Sequence, residues 1–192
     1  MALFPIFVKL EGRPVLVVGA GPVAEGKVNG LLTAGAAVTV VAPTATSEIK
    51  KLAAAGALIW RERPFLLQDL DGATLVIAAV PREVAAVVHE EARRRGILCN
   101  SVDDPDNCDF YYPAVVNRGD LQIAISTAGR SPALAQRLRI ELERRFGPEY
   151  AEWIRELGDA RRELFAADIE PDLRRRRLHE MAQKTRGIVY LV

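Results

Sequence analysis

Histidine and cysteine are scarce, two of each in 192 residues. Cys99 and Cys108 are too few for a disulfide framework, which suits a reducing compartment. Neither has a histidine at zinc-site spacing, so no metal ligand set is expected. His89 and His179 stand alone in helical stretches, where packing or surface roles are the ordinary outcome. An excess of one charge is also missing: 26 basic against 25 acidic residues leave +1. That removes compositional support for nucleic-acid binding, and the basic run Arg174 to Arg177 reads as a solvated helix face. No apolar stretch approaches the ~20 residues of a membrane span. The opening MALFPIFVKLEGR has neither the basic leader nor the long apolar core of a signal peptide. No G-x-S-x-G element occurs, and no Ser/His/Asp set can be assembled from the motifs. These absences point to a cytoplasmic protein without membrane or nucleic-acid partners.

What is present is a 49% apolar chain, enough for a real core. Pro14 to Val18 reads as a buried strand, Val23 to Leu32 as a helix with Val23, Lys27 and Leu31 on one face, and Ala37 to Val41 as a second strand. Further elements follow: helix 47–55, strand 57–60, strand 74–79, helix 82–95 and strand 97–102. Near-continuous apolar strands alternating with helices predict a Rossmann-type parallel sheet covered on both faces. After Pro113 the character changes. Residues 114–125 read as two strands around the turn 117–120, and Ser131-Pro132 opens a helix carrying Leu134, Leu138 and Leu142. From Glu149 the sequence is charged and helical, with Trp153, Leu157, Leu164 and Phe165 as its apolar stripe. The expected fold is α/β: a nucleotide-binding Rossmann domain over residues 1–113, a small α+β dimerisation region over 114–146 and a helical C-terminal region over 147–192.

The first strand leads into Gly19-Ala20-Gly21-Pro22-Val23-Ala24, a G-x-G-x-x-A pattern. Alone it is weak; between a strand and a helix of a βαβ unit it predicts dinucleotide binding. Gly19 permits the tight turn, Gly21 admits the pyrophosphate, and Ala24 lets helix and strand pack closely. The acid that usually holds the adenosine ribose is missing. The second strand ends in Val41-Ala42-Pro43-Thr44, where the Thr44 hydroxyl and the Pro43 backbone are the available groups. No arginine stands there for a 2′-phosphate, so the expected cofactor is NAD, with discrimination against NADP left open.

The stretch CNSVDDPDNCDFYYPA holds four aspartates within seven positions. Ligands of open α/β sheets sit beyond the carboxyl ends of the strands, and Asp103 is the first ionisable residue after the strand 97–102. It is the catalytic candidate. Asp104-Pro105 reads as turn chemistry, and Asp106 and Asp109 are expected to be solvated.

Three blocks now make a pattern: LFPIFVKLEGRPVLVVGAGPVAEGKVNGLLTAGA, CNSVDDPDNCDFYYPA and LQIAISTAGRSPALAQRLR. In this order and spacing, over residues 3 to 146, the chain resembles the precorrin-2 dehydrogenase family, which includes the N-terminal half of siroheme synthase. The resemblance implies NAD-dependent oxidation of precorrin-2 to sirohydrochlorin. In some members ferrous iron is then inserted as a substrate to give siroheme. It also implies a homodimer. The family aspartate falls on Asp103, as general base or substrate-orienting group, and the family nucleotide contacts fall on Pro22, Val23, Pro43 and Thr44. Where some relatives have serine and glycine, this chain has Thr127 and Ala128. A broad, carboxylate-rich tetrapyrrole needs apolar surface and basic donors. Phe110, Tyr111 and Tyr112 are candidates for the first, Arg118 and Arg130 for the second. Two other classes compete: an NAD-sensing regulatory module, which needs no base at position 103, and a chelatase without dehydrogenase activity, which needs no glycine loop.

Overall fold

The β-branched run Pro14–Val18 forms strand β1 at the centre of a five-stranded parallel sheet. The computed structural model describes residues 3–183. Contacts divide the chain into two units, with the boundary between Tyr111 and Tyr112. In the first unit β1 is followed by α1 (Pro22–Thr33), β2 (Ala37–Val41), α2 (Ser47–Ala54), β3 (Ile59–Arg61), β4 (Leu75–Ala78), α3 (Arg82–Arg94) and β5 (Leu98–Ser101). The strand order is β3-β2-β1-β4-β5. From β1 the chain first builds outward through β2 and β3, then returns to place β4 on the other side of β1. The reversal puts a topological switch point at the carboxyl ends of β1 and β4.

Alternate residues of each strand feed two cores. Val15, Val17, Val38, Val40 and Ile77 pack with Ala24, Val28 and Leu31 of α1 and Ile49 of α2. Leu16, Val18, Val41, Val76 and Ala78 pack with Ala85, Val88 and Ala92 of α3. Burial on both faces explains why these strands are apolar almost throughout.

Two expectations need correction. The buried stripe of α1 is Ala24, Val28 and Leu31, whereas Val23 is 52% exposed and Lys27 only half-buried. The helix is rotated about one residue so that the small Ala24 meets the sheet. Strand β3 begins two residues later than the apolar pattern suggests. The end of α2 takes Ala57: Gly56 adopts φ +73° and the Ala57 N–H returns to the Leu52 carbonyl at 2.9 Å. That is a glycine-terminated helix closure, which uses up residues otherwise free to pair.

The second unit starts with the antiparallel pair β6 (Ala114–Arg118) and β7 (Leu121–Ile125), joined by the two-residue loop Gly119-Asp120. Helices α4 (Pro132–Arg145), α5 (Glu149–Ala166) and α6 (Pro171–Gln183) follow. Ser131 caps α4, its hydroxyl accepting the Leu134 N–H at 3.2 Å. In α5 the buried aromatic is Tyr150, edge-on to both Phe146 and Trp153. Phe165, expected in the apolar stripe, is exposed and lies beneath Arg161 and Arg174. The last part of the expected helical region, 184–192, lies outside the described residues. No helix among the described residues is long and apolar enough to cross a membrane.

Candidate functional site

The glycine loop closes at the switch point. Gly19 has φ +101°, and a Cβ built there would stand 2.2 Å from the Ala79 carbonyl oxygen. The β1 turn and the end of β4 therefore touch backbone to backbone. Gly21 shows the opposite: a Cβ there would meet nothing within 4 Å. It caps α1, and Pro22, which has no N–H to leave unpaired, occupies the first helical position. Helix geometry leaves the Val23 and Ala24 amides without an intrahelical acceptor, at the positive end of the helix dipole. Open space over Gly21, bordered by these amides, fits a pyrophosphate.

The loop after β2 is tied to the same place. The Gly19 N–H donates to the Val41 carbonyl at 2.9 Å, and the Thr46 N–H to the Ala20 carbonyl at 3.1 Å. Pro43 and Thr44, both exposed, lie between these tethers. Glu48, the nearest acid in sequence, pairs with Lys51 at 3.7 Å. Gly19, Gly21, Pro22, Val23, Pro43 and Thr44 are thus brought to one edge of the sheet.

Each aspartate of the cluster has a different fate. Asp103 follows β5 in the left-handed region, φ +59°, and is exposed. Few residues adopt this conformation cheaply; aspartate is among those enriched there. Asp104 opens the 3-10 turn Pro105–Asn107, as expected of turn chemistry, and is also buried. Its carboxylate lies 3.2 Å from Arg82 Nε and accepts from Asn107 Nδ2 at 2.8 Å. Asp106 and Asp109 are both exposed, as expected. Asp109 in addition accepts the Cys99 N–H at 2.9 Å and lies 3.9 Å from His89 Nε2. The loop is therefore pinned to α3 at both ends, by Arg82 and by His89. Asn100 adds a brace by donating to the Phe110 carbonyl at 2.8 Å.

Both thiols belong to this bracing. Burial pushes Cys99 up to about 11, with Ser101 opposing, and raises Cys108 as well, so neither is an activated nucleophile.

Lys27, expected only as part of one face of α1, is half-buried. Burial pushes its ammonium down from the usual lysine value, and the Asp103 carboxylate pushes it back up, so the two charges feel each other.

The remaining candidates scatter. Phe110 packs against the core on the α1 side, and Tyr111 donates to the Pro105 carbonyl at 3.3 Å. Tyr112 and Arg130, both exposed, belong to the second unit. Arg118, the other expected carboxylate donor, is engaged within the second unit. Its guanidinium donates to the carbonyls of Phe146 (2.7 Å), Asn117 (2.8 Å) and Glu143 (3.0 Å), sealing the end of α4. Thr127 braces the start of that helix, its hydroxyl accepting the Ser131 N–H at 3.1 Å.

A glycine loop at a switch point, with an exposed acid two strands away, is the arrangement of a dinucleotide-binding domain. A family model described as putative NAD(P)-binding matches residues 6–114. The chain belongs to this NAD(P)-binding family. A second model, described as sirohaem biosynthesis protein central, matches residues 118–145 of this family member. Its relatives include the siroheme synthase of Methylococcus capsulatus, 43% identical over 91% of this chain and 37% of the relative. Siroheme synthase 3 of Aeromonas hydrophila is 46% identical over 74% of this chain and 31% of the relative. The chain thus spans about a third of the length of these curated relatives. Among solved structures, SirC, a precorrin-2 dehydrogenase, superposes with a TM-score of 0.81 at 28% identity, covering 95% of this chain and 90% of that one.

Proposed function

We propose that this NAD(P)-binding protein oxidises precorrin-2 to sirohydrochlorin with NAD. The observation that carries the reading is Asp103: it stands exposed in a left-handed turn on the same sheet edge as the glycine loop, while Asp104 and Asp109 are committed to bracing. The reaction converts precorrin-2 and NAD⁺ into sirohydrochlorin, NADH and a proton. Bound over Gly21, NAD⁺ supplies the hydride acceptor. The Val23 and Ala24 amides and the α1 dipole hold the pyrophosphate, and Pro43 and Thr44 border the adenosine ribose. The Asp103 carboxylate orients the macrocycle through its pyrrole N–H groups or takes the released proton. Phe110, Tyr111 and Tyr112 are proposed as apolar contacts and Arg130 as a carboxylate donor; Arg118 leaves that set.

The test is an anaerobic incubation of protein, precorrin-2 and NAD⁺, following NADH and sirohydrochlorin, repeated with Asp103→Ala. Wild type is expected to form both products, and the variant to bind NAD⁺ without forming either. NAD⁺ binding without NADH formation by wild type would reject the reading. The same carboxylate is suited to take pyrrole protons during ferrous iron insertion, in which iron enters as substrate and two protons leave. Adding ferrous iron to sirohydrochlorin and following siroheme tests that step. A homodimer is proposed through the second unit, where Val115, Leu134 and Ile140 remain exposed. Sedimentation as a monomer at micromolar concentration would reject it.

A further inference from the structure

We propose that Trp60 is a positioning residue for the adenosine side of the nucleotide site, its indole N–H ordering the loop after β2 where a ribose acid is missing; this rests on the role proposed above for Pro43 and Thr44.

The contact is direct. Trp60 stands in β3 opposite Val40 of β2, and its Nε1 donates to the Ala42 carbonyl at 3.1 Å. The next strand residue completes the grip, since the Ala42 N–H donates to the Arg61 carbonyl at 3.2 Å. Both backbone groups of Ala42 are therefore tied to β3. Its carbonyl belongs to the peptide that joins Ala42 to Pro43, and proline brings no N–H to that peptide. Hydrogen bonding can fix this planar unit only through the carbonyl that Trp60 holds. Further on, the Thr46 N–H reaches the Ala20 carbonyl at 3.1 Å, so Pro43, Thr44 and Ala45 alone span the two anchors.

The indole is itself held. Its ring packs, partly buried, against the core formed with α1 and α2. Lys50 of α2 places its Nζ 5.5 Å from the centre of the ring, a cation–π contact.

The consequence is preorganisation. A ribose acid grips hydroxyls with a side chain that can adjust. This loop has no such acid and offers the Thr44 hydroxyl and the Pro43 backbone. Groups set by the backbone bind only as well as the backbone is placed, so affinity here depends on loop order before the ligand arrives. Trp60 supplies that order through Ala42, from the edge of the sheet.

The experiment compares wild type with Trp60→Phe, which keeps an aromatic ring and loses the N–H. Calorimetry measures binding of NAD⁺, AMP and nicotinamide mononucleotide. The variant is expected to weaken NAD⁺ and AMP by the same factor, about 2- to 10-fold, and to leave nicotinamide mononucleotide unchanged. An unchanged AMP affinity overturns the proposal. So does an equal loss for both mononucleotides, the mark of a general structural role. A second arm follows hydrogen exchange without nucleotide. The Thr44 and Ala45 amides should exchange faster in the variant, and equal rates overturn the proposal. Wild type that binds no NAD⁺ would strike the proposed function, while this arm still judges the clamp. If the variant does not fold, the wild-type indole protons decide. That of Trp60 should exchange more slowly once AMP is bound, while that of Trp153, in the second unit, should not change. No slowing at Trp60 overturns the proposal.

Discussion

At the scale of single residues, Ala128 is the clearest exception to local rules. It takes φ +51°, just before Gly129 at +77°, in the loop that leads into α4. A left-handed L-residue costs roughly 1–2 kcal/mol, and glycine returns part of that gain through chain entropy. Ala128→Gly is therefore expected to stabilise the fold by about 0.5–1 kcal/mol, read as a higher urea midpoint at unchanged slope. The same scale shows where sequence reading stops. Asp103 stands out in the sequence as the candidate acid because it is the first ionisable residue after a strand. The further bracing by Asp104 and Asp109 was not legible, because their neighbours, Arg82 and His89, lie on a helix preceding the strand. Nothing local to the aspartate cluster announces them. The electrostatic influence of Asp103 on Lys27 was hidden for the same reason: the two stand 76 positions apart in the chain.

At the scale of elements, Arg118 joins the end of β6 to the last turn of α4. Two of its donors satisfy carbonyls that a helix end otherwise leaves without partners, those of Glu143 and Phe146, and a third reaches the Asn117 carbonyl of β6. Arg118→Ala should destabilise the second unit by about 2 kcal/mol, since each lost bond contributes roughly 0.5–1.5 kcal/mol and water replaces part of them. Hydrogen exchange should quicken in the last turn of α4, with NAD⁺ affinity unchanged. Strands β1, β2 and β4 were readable because double-sided burial demands a nearly unbroken apolar run. Strand β3 was displaced because a helix-ending hydrogen bond competed for its first residues, and sequence pattern alone does not rank the two. Ser131-Pro132 was read correctly as the start of α4, since both cues act within one turn.

At the scale of the whole molecule, acid resistance depends on a group far from the site. Asp69 is buried between Arg61 and Arg63. The Arg63 hydrogen bonds, helped by the Leu66 amide and Arg61 against the cost of burial, take its carboxyl from 3.8 down to about 2. A carboxyl depressed on folding stabilises the native state above its unfolded value and loses that contribution as pH falls through its folded value. The contribution is roughly 2 kcal/mol at neutral pH. Asp69→Asn should lower stability by about that amount at pH 7, and the gap to wild type should close from about pH 4 down to about pH 2. Urea unfolding across this range checks the trend. Layers and strand direction were accessible to sequence reasoning, because they follow from periodicity. The pairing of charges between distant segments was not, because it depends on how the layers close.

The central position of β1 also sets a clock on the chain's synthesis. Its partner β2 is made soon after it, but β4, which covers its other edge, begins only at Leu75. At 5–20 residues per second, that edge waits roughly 3–11 s on the ribosome for its neighbour. For that interval Val15, Leu16, Val17 and Val18 present an apolar, β-branched ribbon with open hydrogen-bonding groups to whatever nascent chain or chaperone is near.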